Sequence, residues 1–462
     1  MSKVFYVMFG CFKNKIVILA MMSLSLLFSF VSDAVAQRQG LSLIRDTEIE
    51  ETLHEWGDPI FKAAKLNPDS INIVLVQSDV MNAFVAGGSN IFFYTGLITR
   101  TENPGELIGV MAHETGHISG GHLIRSREAM ERASYESMIA TILGVGAAIV
   151  SGDGSAMPAL ALGGSALAQR SYLAHSRVHE SSADQAALSF LDKAHINPSG
   201  MVSFMEKLQA ENYMPREQQS EYIQTHPLVG NRIEALKRGV VDSPDLNKPY
   251  PAKWMEQHAR MKAKLIGFIN PGQIPWVYDD RDVSVAAQYA RAIAAYRNNQ
   301  VDDAIARIDA LLAKEPKNPY FLELKGQMLV DFGRVSEAVP YYRQSIAIMP
   351  NAGLFRIALG HALIESADNN QAVLNDAIKQ LERALIDEPR SGRVYRLLAT
   401  AYGRIGRPNE AKLYLAEEAV LERRFDTARQ NAQSILNEEK EGSALWVKSK
   451  DILSFIENVK KE

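Results

Sequence analysis

His113-Glu114-Thr115-Gly116-His117 sets two imidazoles four residues apart with a carboxylate beside the first. On a helix such residues share a face, so His113 and His117 can reach one metal ion while Glu114 faces a water on that ion. This is the arrangement of a zinc peptidase, with Glu114 as general base. A catalytic zinc wants about three protein ligands and one open position, so a third ligand must come from elsewhere in the chain.

In one common class that ligand is a histidine six residues past the second, but Leu123 stands there and the nearby histidine is His122. One residue out of register turns a side chain by about 100° on a helix, which makes His122 a helix-end or supporting residue. A better donor lies in Ser176-Arg177-Val178-His179-Glu180-Ser181-Ser182-Ala183-Asp184, which leads into a helical pattern. Glu180 and Asp184 fall one turn apart on one face. Glu180 can complete a His2Glu set, and Asp184 can accept the free N–H of a ligating imidazole and fix its tautomer. His175 and His179 read as structural, since His179 adjoins Glu180 and must face elsewhere. The expected cofactor is one Zn2+ per chain.

These residues need a scaffold. Leu53, Trp56, Ile60, Phe61 and Ala64 have helical spacing, within a helix from Leu41 to about Leu66 that Asn67-Pro68-Asp69 ends. Strands are expected at Ile71 to Val76, Asn82 to Ala86 and Ile91 to Thr95, with Gly87-Gly88 turning the chain between the last two. The helix carrying His113 and His117 starts near Pro104 and stops at Gly120-Gly121. Two Gly- and Ala-rich apolar runs fill residues 137–169. Each is too short to span a bilayer. They read as a lid over the site, with core helices or a membrane-surface contact as alternatives.

Beyond a linker at residues 271–285 the chain becomes purely helical and repetitive. Ala304 and Pro316 stand 12 residues apart, as do Ala338 and Pro350, and Ala377 and Pro389. Successive alanines are separated by 34, 39 and 34 residues, Ala411 closing the series. These are tetratricopeptide spacings, with five residues inserted in the Glu365 to Ala372 turn. About four units end in helices from Leu415 to Leu436 and Ala444 to Val459. The domain plan is an export signal over 1–36, a metallopeptidase domain over 37–270, the linker, and a repeat domain over 286–462.

The first segment reads as cleavable because Lys3, Lys13 and Lys15 precede the apolar run Ile16 to Val31, followed by Ala34-Val35-Ala36. Its removal with Asp33 leaves 47 basic against 53 acidic residues, a balance that argues against nucleic acid as a partner. It also takes away Cys11, the one cysteine, leaving a chain without thiol chemistry in an oxidising compartment. The expected address is the periplasm, with peripheral association with the outer membrane.

Taken together, the Asn82-Ala83-Phe84 segment, the Gly87-Gly88 turn, Ile91 to Gly96, the HExxH helix, Arg177 to Glu180 with Ala183-Asp184, and the terminal repeats resemble a known family. It is that of the HExxH zinc metallopeptidases that include the CAAX prenyl protease and HtpX, and most closely its exported, repeat-bearing β-barrel assembly-enhancing (BepA) type. The resemblance covers nearly the whole mature chain. It implies a mainly α fold with a small β-sheet, a gluzincin-like metallopeptidase domain followed by a TPR α-solenoid. It implies zinc on His113, His117 and Glu180, Glu114 as base and Asp184 in support. It further implies that Ile91, Phe92, Phe93, Tyr94 and Thr95 form the edge along which a peptide lies. His226, in Thr225-His226-Pro227-Leu228, becomes a loop residue that closes the site at rest or donates to the oxyanion in action.

The expected activity is metal-assisted hydrolysis of unfolded or misassembled envelope proteins, with chaperone-like holding by the repeats. The outer-membrane β-barrel assembly machinery is the expected docking partner. The rival readings are a TPR adaptor with a largely latent metal site and a peptidase for membrane-embedded substrates.

Overall fold

The computed structural model describes residues 42–122, 177–211 and 230–459, together with Ser220, Tyr222, Ile223 and His226. The export signal, the 137–169 runs and His175 lie outside the described residues. From Ile44 onward the described residues form one compact unit.

The first helix, α1 (Thr47–Ala63), is started by Asp46, whose carboxylate accepts the Ile49 N–H at 2.9 Å. Ile49, Leu53, Trp56 and Ile60 repeat at helical spacing and are at most 1% exposed. Each such burial contributes about 1.5–3 kcal/mol, and together they fix α1 as one wall of the core. Four strands follow the chain as β1 (Leu43–Ile44), β2 (Asn72–Val76), β3 (Ala83–Ala86) and β4 (Asn90–Tyr94), in the sheet order β1-β2-β4-β3. β2 and β4 are parallel, with Ile73 beside Ile91; β3 and β4 are antiparallel, with Phe84 beside Phe92.

This order corrects the expectation of a peptide-binding edge at Ile91 to Thr95. β4 is hydrogen-bonded on both sides, Ile91 and Phe93 are fully buried, Phe92 stacks on Phe84, and Thr95 begins the short helix α2 (Thr95–Arg100). The sheet's edges among the described residues are the two-residue β1 and the four-residue β3, and β3 is the edge beside β4.

The next helix, α3 (Pro104–Ser119), is capped by Asn103, which accepts the Glu106 N–H, while Glu106 accepts the Glu102 N–H at 3.1 Å. Pro104 to Gly116 are all buried, so α3 runs through the middle of the core. Packed around it are α4 (residues 177–193), α5 (Ser199–Glu211), α6 (Gly230–Val241) and α7 (Ala252–Ile269).

Residues 271–284 hold a 3-10 turn and a one-turn helix. Ten helices then follow among the described residues: α8 (Val285–Arg297), α9 (Val301–Lys314), α10 (Pro319–Asp331), α11 (Val335–Ile348), α12 (Gly353–Ser366), α13 (Gln371–Asp387), α14 (Gly392–Arg404), α15 (Pro408–Leu421), α16 (Phe425–Glu438) and α17 (Ala444–Val459). Ala304, Ala338 and Ala377 are fully buried where paired helices cross. Gly326 on α10 lies so near the Tyr342 ring on α11 that a Cβ would stand 2.7 Å from it. Of the inserted residues, three lengthen the start of α13, which has 17 residues against 14 in α11. The helical run expected from Leu415 to Leu436 is broken after Leu421, and Arg423 takes φ 56° in the turn.

The repeats begin directly on the preceding helices. Ala263, Ile266 and Ile274 share a cluster with Ala286, Ala290 and Ala294 of α8. Glu48 of α1, 2% exposed, accepts from Arg260 Nη2 at 2.7 Å, Lys264 at 3.3 Å and the Tyr289 hydroxyl at 3.0 Å. Arg45 holds Glu388, just past α13, with two bonds of 2.6 and 2.8 Å. No helix among the described residues is long and apolar enough to cross a membrane.

Candidate metal centre

Gly116 decides how the site closes. A Cβ there would lie 2.8 Å from the Ala183 carbonyl oxygen, so its absence lets α4 cross α3 at backbone contact. That crossing sets Glu180 of α4 over His113 and His117 of α3. His113 Nε2 is 3.0 Å from His117 Nε2 and 3.3 Å from Glu180 Oε2, and His117 Nε2 is 3.4 Å from Glu180 Oε1. His226 adds its Nδ1 at 3.4 Å from His113 Nε2 and 3.2 Å from Glu180 Oε2. These four residues offer ligand atoms that all lie within 4.8 Å of one another.

The donor set fits a metal ion. A tetrahedral ion with bonds of about 2.0–2.1 Å holds neighbouring ligands about 3.3 Å apart. The separations here cluster around that value, three nitrogens and a carboxylate converge, and the groups are largely buried. Sequence reasoning placed His113, His117 and Glu180 in the ligand set, and the structure brings them together. It seats His226 at a fourth corner, where a catalytic ion keeps its exchangeable position.

Glu114 stands beside this cluster, 1% exposed, its Oε1 3.5 Å from His226 Nε2. Oε1 takes no hydrogen bond among the described residues. Burial raises its carboxyl above the usual range, with His226 and His113 opposing. Burial drives His117 down to about 3, so it is neutral and able to ligate. For His113 burial also disfavours charge, but hydrogen bonds to Asp184 and Glu180 outweigh it and push the metal-free imidazole up to about 10. Burial works against the Glu180 carboxylate too, yet His113, His117 and His226 hold it far below its ordinary value.

Asp184 lies behind His113, Oδ1 3.0 Å from His113 Nδ1. It is gripped by Arg232 of α6, whose Nε and Nη2 donate at 2.7 and 2.9 Å; Arg232 Nη1 stands 3.1 Å from Glu180 Oε2. Sequence reasoning gave Arg232 no role, because one arginine on an amphipathic helix looks like any solvated charge. Tyr222 was missed for a similar reason. Its ring stacks on His226 with centroids 4.5 Å apart, its N–H donates to the Met81 carbonyl at 3.3 Å, and its own carbonyl accepts the His226 N–H at 2.8 Å. His226 is thereby held against the stretch that leads into β3.

Residues 46–240 match the model of peptidase family M48, and residues 289–352 match a tetratricopeptide repeat model. The chain is 24% identical over 415 residues to the β-barrel assembly-enhancing protease of Escherichia coli K12, covering 88% of this chain and 82% of that protein. The protein of the same name from Yersinia pestis is 24% identical over 392 residues, 83% of this chain and 78% of its own length. Metalloprotease YcaL of Escherichia coli K12 is 27% identical over 181 residues, 38% of this chain and 67% of that one.

Proposed function

From the premise that the chain is a metallopeptidase of the peptidase family M48 type followed by tetratricopeptide repeats, we propose that it is a zinc endopeptidase exported to the periplasm, where it cleaves unfolded or misassembled proteins during outer-membrane protein assembly. The observation that carries this reading is the donor set, in which His113, His117 and Glu180 are spaced as ligands of one tetrahedral ion beside a buried, unbonded Glu114 oxygen. Zinc suits two imidazoles and one carboxylate, and when bound it supplies a Lewis acid for the scissile carbonyl and acidifies the attacking water.

The chain's own groups do the rest. Glu114 takes the proton of the attacking water and hands it to the leaving amine, its burial making the carboxylate a stronger base than an exposed one. Asp184 holds the His113 ring through Nδ1, and Arg232 holds Asp184 and Glu180 together. His226 fills the fourth corner at rest. An extended substrate segment would add to the free side of β3, which favours unfolded clients over any one sequence. The names of the similar proteins support β-barrel assembly as the setting, and the repeats supply a surface for holding a client or docking on assembly machinery.

Replacing Glu114 with Gln should abolish hydrolysis of an unfolded protein while bound zinc stays at one per chain. His226→Ala should open the fourth corner and raise affinity for a hydroxamate about tenfold, the equivalent of removing about 1.4 kcal/mol of closure. A second reading, a TPR adaptor or chaperone with a largely latent metal site, is favoured by the position of His226 alone. It would prevail if H226A still cleaved nothing.

A further inference from the structure

We infer that His122 is a positioning residue for His117, accepting the proton that His117 must carry on Nδ1 when its Nε2 binds metal; this rests on the zinc reading above. The two Nδ1 atoms are 3.1 Å apart, with the rings at 80°. His117 turns Nε2 toward His113 and Glu180, so Nδ1 is the atom left to carry the hydrogen. A ligating imidazole needs an acceptor at that nitrogen to fix its tautomer and the plane of its ring. His113 has Asp184 for this purpose at 3.0 Å. For His117 the group within reach among the described residues is the His122 imidazole, whose Nδ1 is placed to accept.

Three features hold His122 in that role. Helix α3 ends at Ser119, and Gly121 takes φ 63°, which folds residue 122 back toward the helix. Gly120 leaves room for it, since a Cβ there would stand 2.3 Å from His122 Nε2. The His122 ring then stacks on His179 of α4, with centroids 4.3 Å apart and planes within 6°. His122 and His179 are 4% and 6% exposed. Because His179 precedes Glu180, the stack joins the end of α3 to the segment that delivers the third ligand. The two ligating histidines are thus steadied differently, His113 by a carboxylate and His117 by a second imidazole.

The test uses the full chain and two substitutions that separate packing from hydrogen bonding. H122F keeps an aromatic ring to stack on His179 but offers no acceptor; H122N offers Oδ1 close to the place of Nδ1. Zinc affinity is measured by chelator competition, and the Co2+-substituted protein gives the absorption bands of the site. H122F should bind zinc about 10–100-fold more weakly and shift the Co2+ bands, while H122N should stay within about threefold of wild type. Wild-type affinity and spectrum in H122F would overturn the inference. So would an equal loss in both variants, which would mark a packing role. H117A serves as the reference. If wild type bound zinc no better than H117A, the zinc reading itself would fail, an outcome distinct from tight wild-type binding that H122F leaves unchanged.

Discussion

Arg232 spans Asp184 and Glu180 of α4, bidentate on Asp184 and 3.1 Å from Glu180, so a residue 52 positions after Glu180 decides how that ligand points. The pair is buried, with Arg232 5% and Asp184 4% exposed. Asp184→Asn should weaken zinc binding about 10–100-fold, because the carboxylate that holds His113 loses its charge. Arg232→Met should lower affinity as well by leaving two buried carboxylates less compensated. Chelator competition measures both, and unchanged affinity in either variant would remove Arg232 and Asp184 from the metal's support.

The free side of β3 is open to a direct test. Tyr94 N–H donates to the Asn82 carbonyl, so by antiparallel alternation the backbone groups of Ala83 and Val85 point away from β4. Proline is tolerated on an edge strand and Val85→Pro removes one outward donor at similar side-chain volume. KM for an unfolded substrate should rise about tenfold, the loss of one hydrogen bond of about 1–1.5 kcal/mol, with zinc content and the unfolding temperature retained. An unchanged KM would place the substrate elsewhere.

His258 makes stability depend on acid. Burial, aided by repulsion from Lys262 and Lys207, holds its folded pKa at about 3, and Nε2 lies 2.9 Å from Thr101 Oγ1. Unfolded, the ring titrates near its ordinary 6.5. Between these values the unfolded chain binds the extra proton, so stability falls as pH drops from 6.5 toward 3. At pH 4 the component should be on the order of 1–3 kcal/mol, and His258→Asn should remove it. Denaturant unfolding at pH 7 and pH 4 reads the difference between the variant and wild type.

Glu48 stands between three donors in a buried cluster. Glu48→Ala should destabilise the chain by about 3–5 kcal/mol, since Arg260 and Lys264 would be left buried without their anion. Arg45→Ala, at a side chain half exposed, should cost about 1 kcal/mol or less. Thermal unfolding of the two variants side by side measures the contrast.

Local pattern carried much of this architecture. The HExxH spacing and Asn103-Pro104 located α3 to within a residue, because caps and helical periodicity are written in adjacent positions. The alanine and proline spacing gave the repeats for the same reason. Sheet order was not legible. Three short strands with similar apolar content can pair in several orders, and the choice of β3 as the edge depends on contacts that no strand encodes alone. His122 was legible as a helix-end or supporting residue but its partner was not, because the register argument assumed a continuing helix, whereas the chain leaves α3 at Ser119 and turns back. Arg232 and Tyr222 act across the fold from segments whose own patterns look ordinary.

The Arg45 and Glu48 contacts fasten the repeat array to the first helix of the catalytic half instead of leaving it on a tether. A client gripped by the repeats would then meet the metal at a set distance along its own chain. On the proposed function, that fixed spacing would let the distance from the point of capture select the bond that is cut.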